Sequence, residues 1–141
     1  MVRVMASGVF DLIHPGHISY LKQAKSFGDH LTVVVASDAT VRKKKHEPVT
    51  PESMRAMIVG SLKPVDEAIV GGEGDMFDTV AKVNPDVIVL GYDQSFDEKK
   101  LQEDLEARGF HGIKVVRANE CADDLNATRR IVEKIRRMGS Q

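Results

Sequence analysis

Apolar residues gather into short unbroken runs rich in β-branched side chains, such as LTVVVAS from Leu31 to Ser37 and VIVLG from Val87 to Gly91. Runs of this kind mark strands buried on both faces, and their alternation with helix-length segments marks a parallel sheet covered by helices. Five strands are predicted, near Val2 to Ser7, Leu31 to Ser37, Asp66 to Val70, Val87 to Gly91 and Lys114 to Arg117. The first helix is predicted from Gly16 to Phe27, with Gly28 as a left-handed C-cap. Thr50 is the N-cap of the second and Pro51 fits its first turn, with Met54, Met57, Ile58 and Leu62 turned to the core. A third helix fits Asp75 to Val83, stopped by Asn84-Pro85, and a fourth fits Phe96 to Arg108, with Ser95 and Glu98 spaced as a capping box. The last runs from Asn126 to Met138, and its stripe of Ile131, Val132, Ile135 and Met138 is expected to dock on the sheet. Asp38 to Val49 reads as one long loop, of the kind that often carries function.

Right-handed crossovers turn this alternation into an α/β fold: a single-domain, doubly wound, Rossmann-like parallel sheet of five strands in the order 3-2-1-4-5. In that order the winding reverses between strands 1 and 4, and ligands of such sheets bind outside the carboxyl ends of the strands at the reversal. Gly8-Val9-Phe10-Asp11 and Gly91-Tyr92-Asp93-Gln94 follow those two strands.

The length of 141 residues allows one domain, residues 1–141, and a composition of 42% hydrophobic and 29% charged residues is that of an ordinary globular chain. Twenty Lys+Arg against twenty-one Asp+Glu leave a net charge of -1, so neither nucleic acid nor an anionic membrane is an expected partner and any anion needs a local site. Cys121 is the only cysteine, the start MVRVMAS lacks the apolar core of a secretion signal, and no apolar stretch reaches bilayer length; the expectation is a cytoplasmic, soluble protein.

The segment SGVFDLIHPGH, Ser7 to His17, joins the first strand to the first helix. Gly8 leaves the backbone bare, so the amides around Val9 and Phe10 can donate to an anion. His14 and His17 lie three apart on the first helical turn, beside its free N–H groups and positive dipole end, where two imidazole donors suit phosphate oxygens. Gly16 between them leaves a bare patch for a ribose or base. Alone, the two histidines could be surface residues; as zinc ligands they lack a third partner and a cysteine pair. Asp93 and Gln94, beyond Gly91, offer hydrogen-bonding groups to a base, ribose or acceptor, or else only build a turn. Arg42-Lys43-Lys44-Lys45-His46 is a basic run that by itself reads as a solvated face.

Residues Gly8 to His17 match in full the signature G-x-F-D-x-x-H-x-G-H, and the sequence thereby resembles the cytidylyltransferase-like nucleotidyltransferases. The short length, the basic loop and the segment LGYDQSFDE look like the archaeal FAD synthase group, relatives of glycerol-3-phosphate cytidylyltransferase. The resemblance implies transfer of a nucleoside monophosphate from a nucleoside triphosphate to a phosphorylated acceptor with release of pyrophosphate, a divalent metal (Mg2+) and a homodimer. Among acceptors it puts FMN first, with ATP as donor and FAD as product. It also places the family's phosphate-binding lysine on Lys44 and its helix-2 arginine on Arg55, whose bland alternative is a surface ion pair with Glu52. Relatives carry hydroxyl-rich residues before the last helix; here Cys121 replaces an arginine, Asn126 and Ala127 replace hydroxyls, and Thr128 remains. Thr128 and Arg129 at that helix start are then expected to help bind the triphosphate.

His14, His17 and Lys44 are therefore the candidate catalytic residues. Gly8, Val9, Phe10, Gly16, Arg55, Gly91, Asp93, Gln94, Thr128 and Arg129 are the candidate nucleotide-binding ones, and no protein ligands for a metal are assigned. The competing readings are a glycerol-3-phosphate cytidylyltransferase and a non-catalytic nucleotide-binding module.

Overall fold

The computed structural model describes residues 1–44, 47–121 and 128–139. Strands β1 (Arg3–Gly8), β2 (His30–Val35), β3 (Glu67–Val70), β4 (Val87–Leu90) and β5 (Lys114–Arg117) form one sheet in the order β3-β2-β1-β4-β5, all pairs parallel, as the alternation predicts. Helices α1 (Pro15–Lys25) and α3 (Glu52–Gly60) cover one face. Their Leu21, Ala24 and Val59 pack on Val4, Ala6, Leu31, Val33, Val35 and Val89. Helices α4 (Met76–Val83) and α5 (Glu98–Ala107) cover the other, where Val80, Leu101 and Leu105 meet Met5, Val34, Ile88 and Leu90. Consecutive strand residues thus feed opposite cores, which is why these strands read as continuous apolar runs rather than as alternating ones. Full burial of each such Leu or Val stabilises the fold by about 1.5–3 kcal/mol.

The segment predicted as a loop from Asp38 contains a helix, α2 (Asp38–Lys44). Ser37 opens it, its hydroxyl accepting the Thr40 N–H at 3.2 Å, and Val41 is its one buried side chain. Seven residues with a single apolar anchor give no periodic pattern to read. In α3 the apolar face is displaced: Met54, Met57 and Ile58 are exposed, and the helix buries Arg55 and Val59 instead. Nor does Thr50 cap it; the N-cap is Pro51, and the Thr50 hydroxyl donates to Asp11 Oδ1 at 2.7 Å.

Helix α5 starts at Glu98 with Asp97 as N-cap, its carboxylate accepting the Lys100 N–H at 3.1 Å. The expected Ser95–Glu98 box is absent because Glu98 pairs with Arg117 at 2.6 Å. Gly28 is not a left-handed cap: α1 ends at Ser26, and a Cβ on Gly28 would stand 2.7 Å from the Val2 carbonyl, so glycine is needed there for close approach. Left-handed residues close other helices: Asn84 with φ 52° after α4, and Gly109 with φ 89° after α5. Helix α6 (Thr128–Gly139) does not lay its whole apolar stripe on the sheet, since Ile135 and Met138 are 59% and 61% exposed.

Candidate active site

A cavity of about 570 Å³ opens at the carboxyl ends of β1 and β4, where the winding reverses. The loop after β1 forms one wall, Gly91 to Gln94 a second, and α6 a third.

Two residues of the first wall hold a left-handed backbone without being glycine, Phe10 at φ 56° and Leu12 at φ 60°. Such conformations cost of order 1–3 kcal/mol each and persist only where the surroundings enforce them. Here Asp11, between them, accepts the Val49 N–H at 2.7 Å, the Thr50 N–H at 3.1 Å and the Thr50 hydroxyl. The Phe10 ring turns inward beneath the loop against His17 and Tyr20. A Cβ on Gly8, which itself lines the cavity, would come within 2.9 Å of that ring, so the glycine makes room for Phe10 as well as leaving that stretch of wall bare.

The loop ends at His14, which is both buried and the N-cap of α1. His14 Nδ1 accepts the Gly16 N–H at 3.0 Å, and His17 Nδ1 accepts the His14 N–H at 3.3 Å, an imidazole version of the capping box. The rings stack with centroids 3.7 Å apart. An Nδ1 that accepts a hydrogen bond carries no proton, so each neutral ring is an Nε2–H donor. Burial lowers the pKa of His14, opposed in lesser degree by the charge of Asp93 across the cavity, and this favours the neutral form.

Arg55 is expected among the nucleotide ligands and is placed elsewhere. Only 1% exposed, it gives Nε to the Thr50 carbonyl, Nη1 to the carbonyls of Val9 and Ala36, and Nη2 to Asp38 Oδ1 at 2.6 Å. Its role is structural: it ties the motif loop, the end of β2, α2 and α3 into one unit. Because a trans peptide points its N–H opposite its C=O, the Val9 carbonyl on Arg55 directs the Phe10 N–H the other way. The surface pair with Glu52 does not form; Glu52 accepts the Asp38 N–H.

Gly91, Tyr92, Asp93 and Gln94 line the cavity as predicted. Gln94 is a brace, however: its Oε1 accepts the Gly91 N–H and its Nε2 donates to the Ser7 carbonyl, which leaves its amide no simple role as a base reader. Arg117, at the end of β5, holds this loop from below by donating to the carbonyls of Gly91, Gln94 and Phe96.

Val9, Phe10, Gly16, His14, His17 and Arg129 also line the cavity. Lys44 lies exposed in the last turn of α2, outside that lining; Lys45 and His46 fall outside the described residues. Thr128 begins α6, while its side chain and residues 122–127, with Asn126 and Ala127, are likewise not described. Sequence reasoning missed Asn119, Val132, Glu133 and Arg136, all in the lining. The last helix did carry a usable signal, since positions 129, 132, 133 and 136 share one face at helical spacing. Asn119 is set by Gln23, which accepts its N–H and donates to its carbonyl.

An open α/β sheet with a polar-lined cavity at its switch point is the architecture in which ligands bind outside the carboxyl ends of the strands. The chain belongs to the cytidylyltransferase-like family, whose model matches residues 5–135. It is 54% identical over 136 residues to the FAD synthase of Aciduliprofundum boonei, covering 96% of this chain and 91% of that protein. The FAD synthase of Thermoplasma acidophilum is 50% identical over 135 residues, with 96% and 94% covered. A crystal structure described as the lipopolysaccharide core biosynthesis protein from Thermoplasma volcanium superposes with a TM-score of 0.84 at 50% identity, over 86% of this chain and 98% of that one.

Proposed function

We propose that this protein is an FMN adenylyltransferase, which moves AMP from ATP to FMN and releases pyrophosphate. A phosphate oxygen of FMN attacks the α-phosphorus, the new P–O bond forms in line, and the bond from the α-phosphorus to the α–β bridging oxygen breaks, that oxygen leaving with pyrophosphate. The attacking oxygen is already anionic, so no strong base is required and catalysis consists of positioning and charge stabilisation. The observation that carries this reading is the stacked His14–His17 pair, two Nε2–H donors held by backbone caps at the cavity. The Phe10 amide adds a donor and the positive end of the α1 dipole adds charge stabilisation, the first N–H groups of that helix being taken up by His14, while Arg129 and the start of α6, with its Thr128, suit the leaving pyrophosphate. Lys44 joins this set if the end of α2 swings toward the triphosphate. Asp93 serves the ribose or the acceptor.

Among the described residues no three His, Cys, Asp or Glu side chains converge into a metal site. A divalent cation such as Mg2+, brought in with the triphosphate, would neutralise charge on its oxygens. No described helix is long and apolar enough to cross a membrane. A cytoplasmic homodimer completes the proposal, and sedimentation of the purified protein checks the dimer.

Product chromatography after incubation with ATP or CTP, each with FMN or glycerol 3-phosphate, tests the activity. FAD from ATP and FMN is expected. CDP-glycerol without FAD overturns the acceptor and base assignment while keeping nucleotidyl transfer; nucleotide binding with no pyrophosphate released makes the protein a binding module.

A further inference from the structure

The β1 strand stays paired with β2 through Gly8↔Val35, and β4 with β5 through Leu90↔Arg117, yet β1 and β4 part after Ala6↔Val89. A continued parallel ladder would have the Ser7 N–H donate to the Val89 carbonyl and the Gly91 N–H to the Ser7 carbonyl. Neither bond forms directly. The Ser7 N–H instead donates to the Tyr20 hydroxyl at 3.1 Å, which donates to the Val89 carbonyl at 2.5 Å. The Gly91 N–H donates to Gln94 Oε1 at 2.8 Å, and Gln94 Nε2 donates to the Ser7 carbonyl at 3.1 Å. Each missing ladder bond, about 2.9 Å long in a closed sheet, is thus replaced by a two-step path through one side chain. Both side chains line the cavity.

We propose that Tyr20 and Gln94 are positioning residues that fix the opening of the cleft, by holding β1 and β4 apart at one set distance while satisfying the backbone groups the separation exposes. The proposal rests on the nucleotide reading of this cavity and adds residues to it. The separation matters because Ser7 leads directly into the histidine loop and Gly91 into the Asp93 loop, so the span of the two relays sets how far apart the two walls stand. Two anchors make the device rigid. Tyr20 comes from α1, its ring stacked on Phe10 and its phenol kept protonated by burial. Gln94 sits in the loop that Arg117 fastens from below.

The test uses Tyr20→Phe, Gln94→Met and Gln94→Asn in the full chain, with urea midpoints measured beside kcat and KM for ATP and FMN. Tyr20→Phe keeps the ring and removes one relay. Gln94→Met keeps the length and removes the other, and Gln94→Asn keeps both hydrogen-bonding ends but shortens the reach. Each is expected to lower kcat/KM by about 10- to 10²-fold in protein that is fully folded, the scale of a displacement near 1 Å at a reacting centre. Gln94→Asn decides between span and mere satisfaction of backbone groups. If it restores wild-type turnover, or if the variants shift only the urea midpoint and leave kcat and KM unchanged, the proposal is overturned. Should Tyr20→Phe fail to fold, the two Gln94 variants decide alone. Calorimetric titration of the wild type with ATP separates the two levels: absence of binding removes the functional reading, whereas binding with unaffected variants removes only the relay.

Discussion

His14 and His17 cap each other's turn: one Nδ1 accepts the Gly16 N–H, the other accepts the N–H of His14 itself, and the rings lie face to face 3.7 Å apart. The same bonds that begin α1 therefore decide which ring nitrogen carries a proton, so helix capping and the proposed phosphate recognition are one arrangement.

Replacing His14 separates these two duties. His14→Asn keeps an acceptor where Nδ1 stands and removes the Nε2 donor, whereas His14→Ala removes both. Turnover is expected to fall about 10²-fold or more in each, the scale for deleting one preorganised donor. Urea denaturation should show a further loss of about 1 kcal/mol for the alanine variant alone, the usual worth of an N-cap.

The pH dependence has a definite sign. The folded pKa of His14 lies below the ordinary 6.5, chiefly through burial, so the unfolded chain binds the extra proton first as pH falls. Its contribution to stability is fully present above about 6.5 and is lost as pH falls through the lowered folded value. Urea midpoints of wild type and His14→Asn across that window should converge on acidification, and a histidine NMR titration should place His14 below an exposed reference histidine.

Arg55→Ala leaves Asp38 and three backbone carbonyls without their partner. Breaking a buried pair in this way costs about 3–5 kcal/mol, and lysine cannot replace a guanidinium that serves four acceptors. Chemical denaturation is expected to show both Arg55→Ala and Arg55→Lys strongly destabilised, the lysine variant less so.

The rotated face of α3 is open to a simple comparison. Met57, 65% exposed, should tolerate Met57→Gln within about 0.5 kcal/mol, while Val59→Ala opens space in the core and costs about 1–3 kcal/mol. Equal effects in thermal denaturation would contradict the placement of this helix.

Arg117→Ala should act on the loop from Gly91 to Phe96 without touching the histidine wall. The expected outcome is a raised KM and little change in the environment of His14 and His17 by NMR.

The parts legible in the chain were those with local or periodic causes. β-branched runs and their spacing gave the strands and, through crossover handedness, the sheet order and switch point. The motif from Gly8 to His17 was readable because its residue types and intervals are dictated by a strand end, a helix start and the tight loop between them. Asp97 displacing Ser95 as the cap of α5 was not readable, since Glu98 is drawn off by Arg117 from a strand far along the chain.

What the sequence determined alone was the architecture, the position of the cleft and the placing of His14 and His17 in its wall, because these follow from hydrophobic period, chain handedness and the chemistry of a helix terminus. Tertiary structure alone decided which polar residues are left to line the cavity and which hold the frame. Arg55 and Gln94 have side chains suited to either task, and only the carbonyls of Val9, Ala36 and Thr50 around the one, and of Ser7 beside the other, assign both to the frame. Apart from that of Thr50, those carbonyls come from segments distant in sequence, and the need to satisfy buried backbone groups, invisible in residue order, is the physical reason the assignment had to wait for the fold.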